Sequence, residues 1–127
     1  MARDEQFQKV VLIKFTRGLT GDEERELLDL CRSLKAVPGV TTLVVGQDQE
    51  EGTQGFRYCF LIRFESEEAY KGYPAHPTHI RLRDFVVARD DQDVIGFNFP
   101  VLPGNEWHDA VSFGSFGRGG YGRTFDR

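Results

Sequence analysis

Residues 40–64 read VTTLVVGQDQEEGTQGFRYCFLIRF, and two strand-like runs follow one another here with only a polar segment between them. From Phe56 to Phe64 the residues Phe56, Tyr58, Phe60, Ile62 and Phe64 form an apolar row of period two. Arg57 and Arg63 stand on the opposite face. Val40 to Gly46 is a second, shorter run of strand character, and Asp48 to Gly55, polar and with two glycines, reads as the loop that joins them.

Upstream, Thr20-Gly21-Asp22-Glu23 has capping-box spacing and opens a helix. Leu27, Leu30, Cys31, Leu34 and Val37 follow at helical spacing until Pro38-Gly39 ends it. Before that helix, Phe7 to Phe15 reads as a strand covered on both faces, because Val10 and Leu12 back the Phe7/Val11/Ile13/Phe15 row. Lys9 is the one charge in that row. It is either a strand-end lysine that snorkels to water or a charge aimed into a pocket. Downstream, Ser66 starts a short helix that gives way near Gly72, and a second runs from Pro77 to about Arg89. Ile95, Phe97 and Phe99 then alternate with Val94, Gly96 and Asn98 in a last strand that Pro100 stops. The order β, α, β, β, α, β predicts an α+β, ferredoxin-like subunit with both helices on one face of the sheet. The other face is left bare, and a second copy packed sheet to sheet would cover it.

The chain has 127 residues and 13% aromatic content, including 11 Phe, which suits one domain with a real core and an appendage. The net charge of −4 lacks the basic footprint of a nucleic-acid binder. Residues 1–111 carry 13 Lys+Arg against 19 Asp+Glu, whereas 112–127 carry 3 Arg against 1 Asp, so polyanion binding would fall to that short tail. Cys31 and Cys59 belong to no CxxC and read as free thiols of a reducing compartment. Neither a signal-peptide pattern nor an apolar stretch of about 20 residues is present, so a cytoplasmic protein without a membrane partner is expected.

Tyr73-Pro74-Ala75-His76-Pro77-Thr78-His79 holds two of the three histidines. Pro77 fixes its own φ and pushes His76 out of helical geometry, making His76 the cap and Pro77 the first helical residue. His79 then lies in the first turn, where the exposed N–H groups favour a neutral imidazole. Tyr73 reaches the same place across a chain reversal. A phenol donor beside an imidazole acceptor is acid/base equipment, and the same residues also make a capped helix start with a packed ring. Both readings stand at this point.

These residues resemble the dimeric α/β-barrel stress-responsive proteins, the A/B barrel domain family, which includes a plant polyketide cyclase. The resemblance spans about residues 7–99. It rests on Val-Val-Leu-Ile-Lys-Phe (10–15), Pro38-Gly39-Val40, Gly55-Phe56, Phe64-Glu65-Ser66 and above all Tyr73-x-x-His76-Pro77-x-His79. It implies a homodimeric α/β barrel with a ligand pocket between helices and sheet in each subunit. By likeness to the cyclase, Tyr73 would polarise a carbonyl oxygen and His79 would take a carbon-bound proton in an intramolecular aldol closure. The implied pocket also includes Lys9, where family members commonly carry histidine, and Cys31, which replaces an aromatic. Tyr58 and Phe60 would line it from the sheet, Leu27 and Leu28 from the opposite side, with His76 alongside. The expected ligand is a small aromatic or polyketide-like carbonyl compound, either turned over or bound without turnover in stress physiology.

No cofactor motif is present, neither GxGxxG nor GxxxxGK[ST] after a strand, and GxSxG and HExxH are also missing. His76 and His79 with Asp84 or Glu65 lack metal-site spacing, because Pro77 takes His76 off the helix face, so no metal is expected. The domain is placed at 1–102. An extension, 103–127, ends in a Gly/Phe/Arg-rich run from Ser112 to Phe125 that either packs back on the domain, anchored by Trp107 and His108, or stays mobile. Weak RNA contact through its arginines and rings is a third reading.

Overall fold

The computed structural model describes residues 5–50 and 54–107. Strand β1 (Phe7–Phe15) leads through a turn to helix α1 (Gly21–Ser33), then come β2 (Val40–Gln47), β3 (Tyr58–Phe64), α2 (Glu67–Gly72), α3 (Pro77–Val87) and β4 (Gln92–Pro100). The strands are antiparallel in the order β2-β3-β1-β4, the ferredoxin-like arrangement. The Thr20 cap forms as its spacing predicts: its Oγ1 accepts from the Glu23 N–H (3.1 Å) and the Glu23 carboxylate accepts from the Thr20 N–H (2.8 Å). Among the described residues no helix is long and apolar enough to cross a membrane.

The register assigns every strand residue to a face. Val11, Ile13 and Phe15 of β1 and Tyr58, Phe60, Ile62 and Phe64 of β3 point toward the helices and are buried with Leu27, Cys31 and Leu34 below α1 and Leu82 and Val86 of α3. On β4 the assignment runs the other way. Phe99, Phe97 and Ile95 pair with Gln8, Val10 and Leu12, on the side away from the helices, while Asn98, Gly96 and Val94 pair with Lys9, Val11 and Ile13 on the helix side. The bulk of β4 therefore stands outside, with Phe97 64% and Ile95 47% exposed.

Three local expectations are corrected. Only the helix side of β1 is covered within one chain, since Val10 and Leu12 join the open face rather than a second core. Strand β3 begins at Tyr58 instead of Phe56, because Gln54 and Gly55 both take positive φ (53° and 87°) and turn the chain until regular pairing starts. Helix α3 stops at Val87, ahead of Arg89, whose guanidinium instead grips both Asp91 oxygens (3.0 Å each) and the Gly18 carbonyl (2.9 Å) and lies 5.1 Å from the Phe15 ring centre. The Arg17 N–H donates to the same carboxylate (2.7 Å) and holds its pKa below the usual range, so the β1–α1 and α3–β4 turns are tied together. At the other end, Val101 donates to the Gln6 carbonyl (2.7 Å) and Arg63 pairs with Glu106 (2.6 Å), which draws the start of the extension back to the sheet. Trp107 is 66% exposed there. His108 and the run from Ser112 to Phe125 lie outside the described residues.

Gly39, after α1, has φ 87° and its carbonyl accepts from the Glu65 N–H (2.8 Å), so the backbones of two connections meet at this point. A Cβ here would collide with the Ala69 methyl group. Gly39→Ala is therefore expected to lower stability by about 2 kcal/mol, from left-handed strain and the clash together. Urea unfolding checks this, and an unchanged midpoint would refute the close approach.

Candidate functional site

After α2 the chain tightens into a single 3-10 turn, Tyr73–Ala75, and His76 (φ −73°, ψ 140°) swings it into α3. The His76 Nδ1 accepts from the Thr78 N–H (3.2 Å) and lies 2.9 Å from the Thr78 hydroxyl, so this ring caps the helix. Its outer edge borders a separate cleft with Pro38, Gly39, Glu65 and Glu68. His79, three residues on, behaves differently. Its Nδ1 lies 3.0 Å from the Pro74 carbonyl oxygen, which can only accept, so Nδ1 carries the proton and Nε2 is left as the basic atom. Burial lowers its pKa from the ordinary 6.5, the Pro74 bond opposes this, and Lys9 and Arg83 push it further down. The shift is toward the neutral ring expected at the helix terminus, with desolvation as its largest cause.

Tyr73 packs its ring against His79 (centres 4.5 Å apart) and edge-on to Phe64 (5.3 Å). It is 1% exposed, and its hydroxyl is buried with no hydrogen-bond partner among the described residues. Burial raises its pKa, with nearby Cys31 adding to the effect, so the phenol keeps its proton at any physiological pH. Lys9 comes from β1, its Nζ 5.5 Å from the Tyr73 ring centre and 3.0 Å from the Asn98 Oδ1 on β4. Half-burial lowers its pKa as well.

These three side chains share one cavity of about 340 Å³ between α3 and the β1/β4 edge. Leu82, Arg83, Val86 and Val87 continue the His79 face of α3, and Val11, Ile13, Phe60, Gln92, Val94 and Gly96 form the sheet wall. The cavity exists because β4 offers only small or short side chains on this face; nothing lies within 4 Å of where a Gly96 Cβ would stand. One end is polar, with Lys9, Tyr73 and His79, and the other is aliphatic. A basic nitrogen and a cation stand at the end of an apolar trough beside the Tyr73 ring, whose hydroxyl lies buried near Cys31, and this arrangement is suited to binding a carbonyl compound.

The stress responsive A/B barrel domain family matches residues 7–93. The chain belongs to this family. A stress-response A/B barrel domain-containing protein of Arabidopsis thaliana is 28% identical over 98 residues, 75% of this chain and 86% of the relative. Among solved structures, a hydroxynitrile lyase from Passiflora edulis superposes with a TM-score of 0.65 at 15% identity, covering 80% of this chain and 97% of its own. A dimeric ferredoxin-like protein of unknown function from Thermobifida fusca gives 0.63 at 15% identity, covering 76% and 93%. At these identities the two structures establish the fold alone.

Within this A/B barrel, the site residues expected from the sequence separate into two groups. Lys9, Phe60, Tyr73 and His79 meet at the cavity. Leu27, Leu28, Cys31, Tyr58 and His76 do not line it: Leu27 and Cys31 are sealed in the core under α1, and Leu28 packs against that core. Tyr58 donates to Glu24 (3.1 Å) near the other end of the sheet, and His76 is occupied as a cap. The residues missed were Leu82, Arg83, Val86 and Val87, legible as the i+3, i+4, i+7 and i+8 positions from His79, together with the small helix-side row of β4.

Leaving a buried hydroxyl unpaired costs about 1–3 kcal/mol. Tyr73→Phe is accordingly expected to leave thermal stability unchanged or raised. A clear drop in melting temperature would mean that the phenol has a structural partner in the free protein.

Proposed function

We propose that the cavity binds a small aromatic or polyketide-like carbonyl compound and that Tyr73 and His79 act on it as an acid–base pair. What supports this reading is the Tyr73 ring, its hydroxyl buried, protonated and without a partner among the described residues, in contact with a histidine whose Nε2 makes no hydrogen bond to them. His79 Nε2 takes a proton from the carbon next to a carbonyl, and the charge developing on the carbonyl oxygen accepts the Tyr73 O–H bond. The carbanion then attacks a second carbonyl of the same molecule. The resulting alkoxide recovers the proton from the imidazolium, closing a ring with no net oxidation. Turnover of such a substrate is expected to fall about a hundredfold or more in His79→Ala and in Tyr73→Phe with folding intact. It should hold its full rate above about pH 6.5 and decline on acidification, because the base must be neutral and burial sets its pKa below that value. A rate indifferent to both substitutions would sink the acid–base reading.

The depth of the Tyr73 hydroxyl favours a second reading, binding without turnover. In that case carbonyl ligands shift the His79 signals in NMR spectra while no product forms.

We also propose that the chain works as a homodimer joined through the open sheet face. Val44, Ile95, Phe97 and Phe99 are each 38% exposed or more on one surface, and Phe97 and Phe99 touch at 5.6 Å, an apolar patch that an isolated subunit would leave in water. A Thermobifida fusca structure of the same fold is dimeric. Phe97→Asp is expected to yield monomer by light scattering, and a variant that keeps the wild-type mass would place the contact elsewhere.

A further inference from the structure

Lys9 stands at the polar end of the cavity. It is half-buried beside the ring of Tyr73, and its one hydrogen bond among the described residues goes to a neutral acceptor, the Asn98 Oδ1 at 3.0 Å. Lys9 has no carboxylate oxygen within 4.0 Å among the described residues, and neither do Lys14, Lys35, Arg57 and Arg81, but of these five cations Lys9 alone lines this cavity. Among the described residues the cavity it borders offers no counter-charge either. Its charged lining residues are Lys9 and Arg83, both cationic, and Arg83 is already met by Asp84 at 3.1 Å. A half-desolvated ammonium beside an apolar trough is costly unless an anion joins it.

We propose that the ligand carries a carboxylate, and that Lys9 is its counter-charge while the apolar body lies along Val11, Ile13, Leu82 and Val86. This rests on the cavity reading above and narrows its ligand class to aromatic or keto acids. The carboxylate replaces water on Nζ, and Asn98 steadies the ammonium from the side. A charge-assisted bond in this half-buried setting is strong enough to separate an acid from its neutral ester by roughly tenfold to a hundredfold in affinity.

The test is calorimetric titration at pH 7.5 of the full chain with 2-naphthoate and with methyl 2-naphthoate, which share a body and differ in charge. Wild type is expected to bind the acid at least about tenfold more tightly, and Lys9→Met to bring the acid-to-ester ratio close to one. The ligand-free Lys9→Met protein should melt no lower than wild type, since the variant removes an unpaired charge. Equal affinity for acid and ester in wild type overturns the proposal and leaves the cavity reading standing. A ratio that survives Lys9→Met and disappears in Arg83→Gln also overturns it, by assigning the anion to Arg83. If wild type binds neither probe, the cavity reading fails and this proposal with it.

Discussion

Everything distinctive in this subunit follows from the pairing of β4 with β1, in which Gly96 stands opposite Val11. That register sends Ile95, Phe97 and Phe99 away from the helices and leaves Val94, Gly96 and Asn98 to face α3. A strand alternates with period two, so a slip of one residue would exchange the two rows. The rings would then fill the space under α3 and close the cavity, and the outer face would lose its apolar patch. Cavity and sticky face are thus two consequences of one register.

The polar end of the cavity draws its character from burial acting on three groups of different kinds. Desolvation lowers the pKa of His79, raises that of the Tyr73 phenol and lowers that of Lys9, in each case favouring the neutral form. None of the three has a carboxylate hydrogen-bonded or ion-paired to it among the described residues. The Arg89 cluster at the other end of β1 shows the alternative, a guanidinium and a carboxylate that satisfy one another and two backbone groups while closing the turns. That cluster is complete in itself, as a structural ion pair should be. The cavity group has no such closure among the described residues, and that difference is what supports the binding reading.

The fold was legible because its signals are local and repeated. The alternation in Phe56 to Phe64, the Thr20 capping box and the Pro38-Gly39 stop each specify an element within a few residues, and their order leaves few topologies. The site was legible only at the Tyr73–His79 corner, where proline chemistry fixes the backbone. Its far wall was not, because whether Gly96 faces the helices depends on a pairing between residues some 85 positions apart in the chain. The eye goes to the large residues of a strand, and on β4 the cavity is made by the small ones. Leu27, Leu28, Cys31 and Tyr58 were drawn toward the site by likeness to relatives, yet in this chain α1 settles onto the core over β3, and the space opens under α3.

The two histidines of the corner show how one short motif serves both packing and chemistry without conflict. Pro77 cannot donate a backbone N–H, so the first donor of α3 that needs a partner is Thr78, and His76 supplies it through Nδ1. That bond commits Nδ1 to the cap. The phase of α3 is set by its buried face, Thr78, Leu82 and Val86, and at that phase His79 borders the cavity. The Pro74 carbonyl beside Nδ1 then determines which nitrogen of His79 is free.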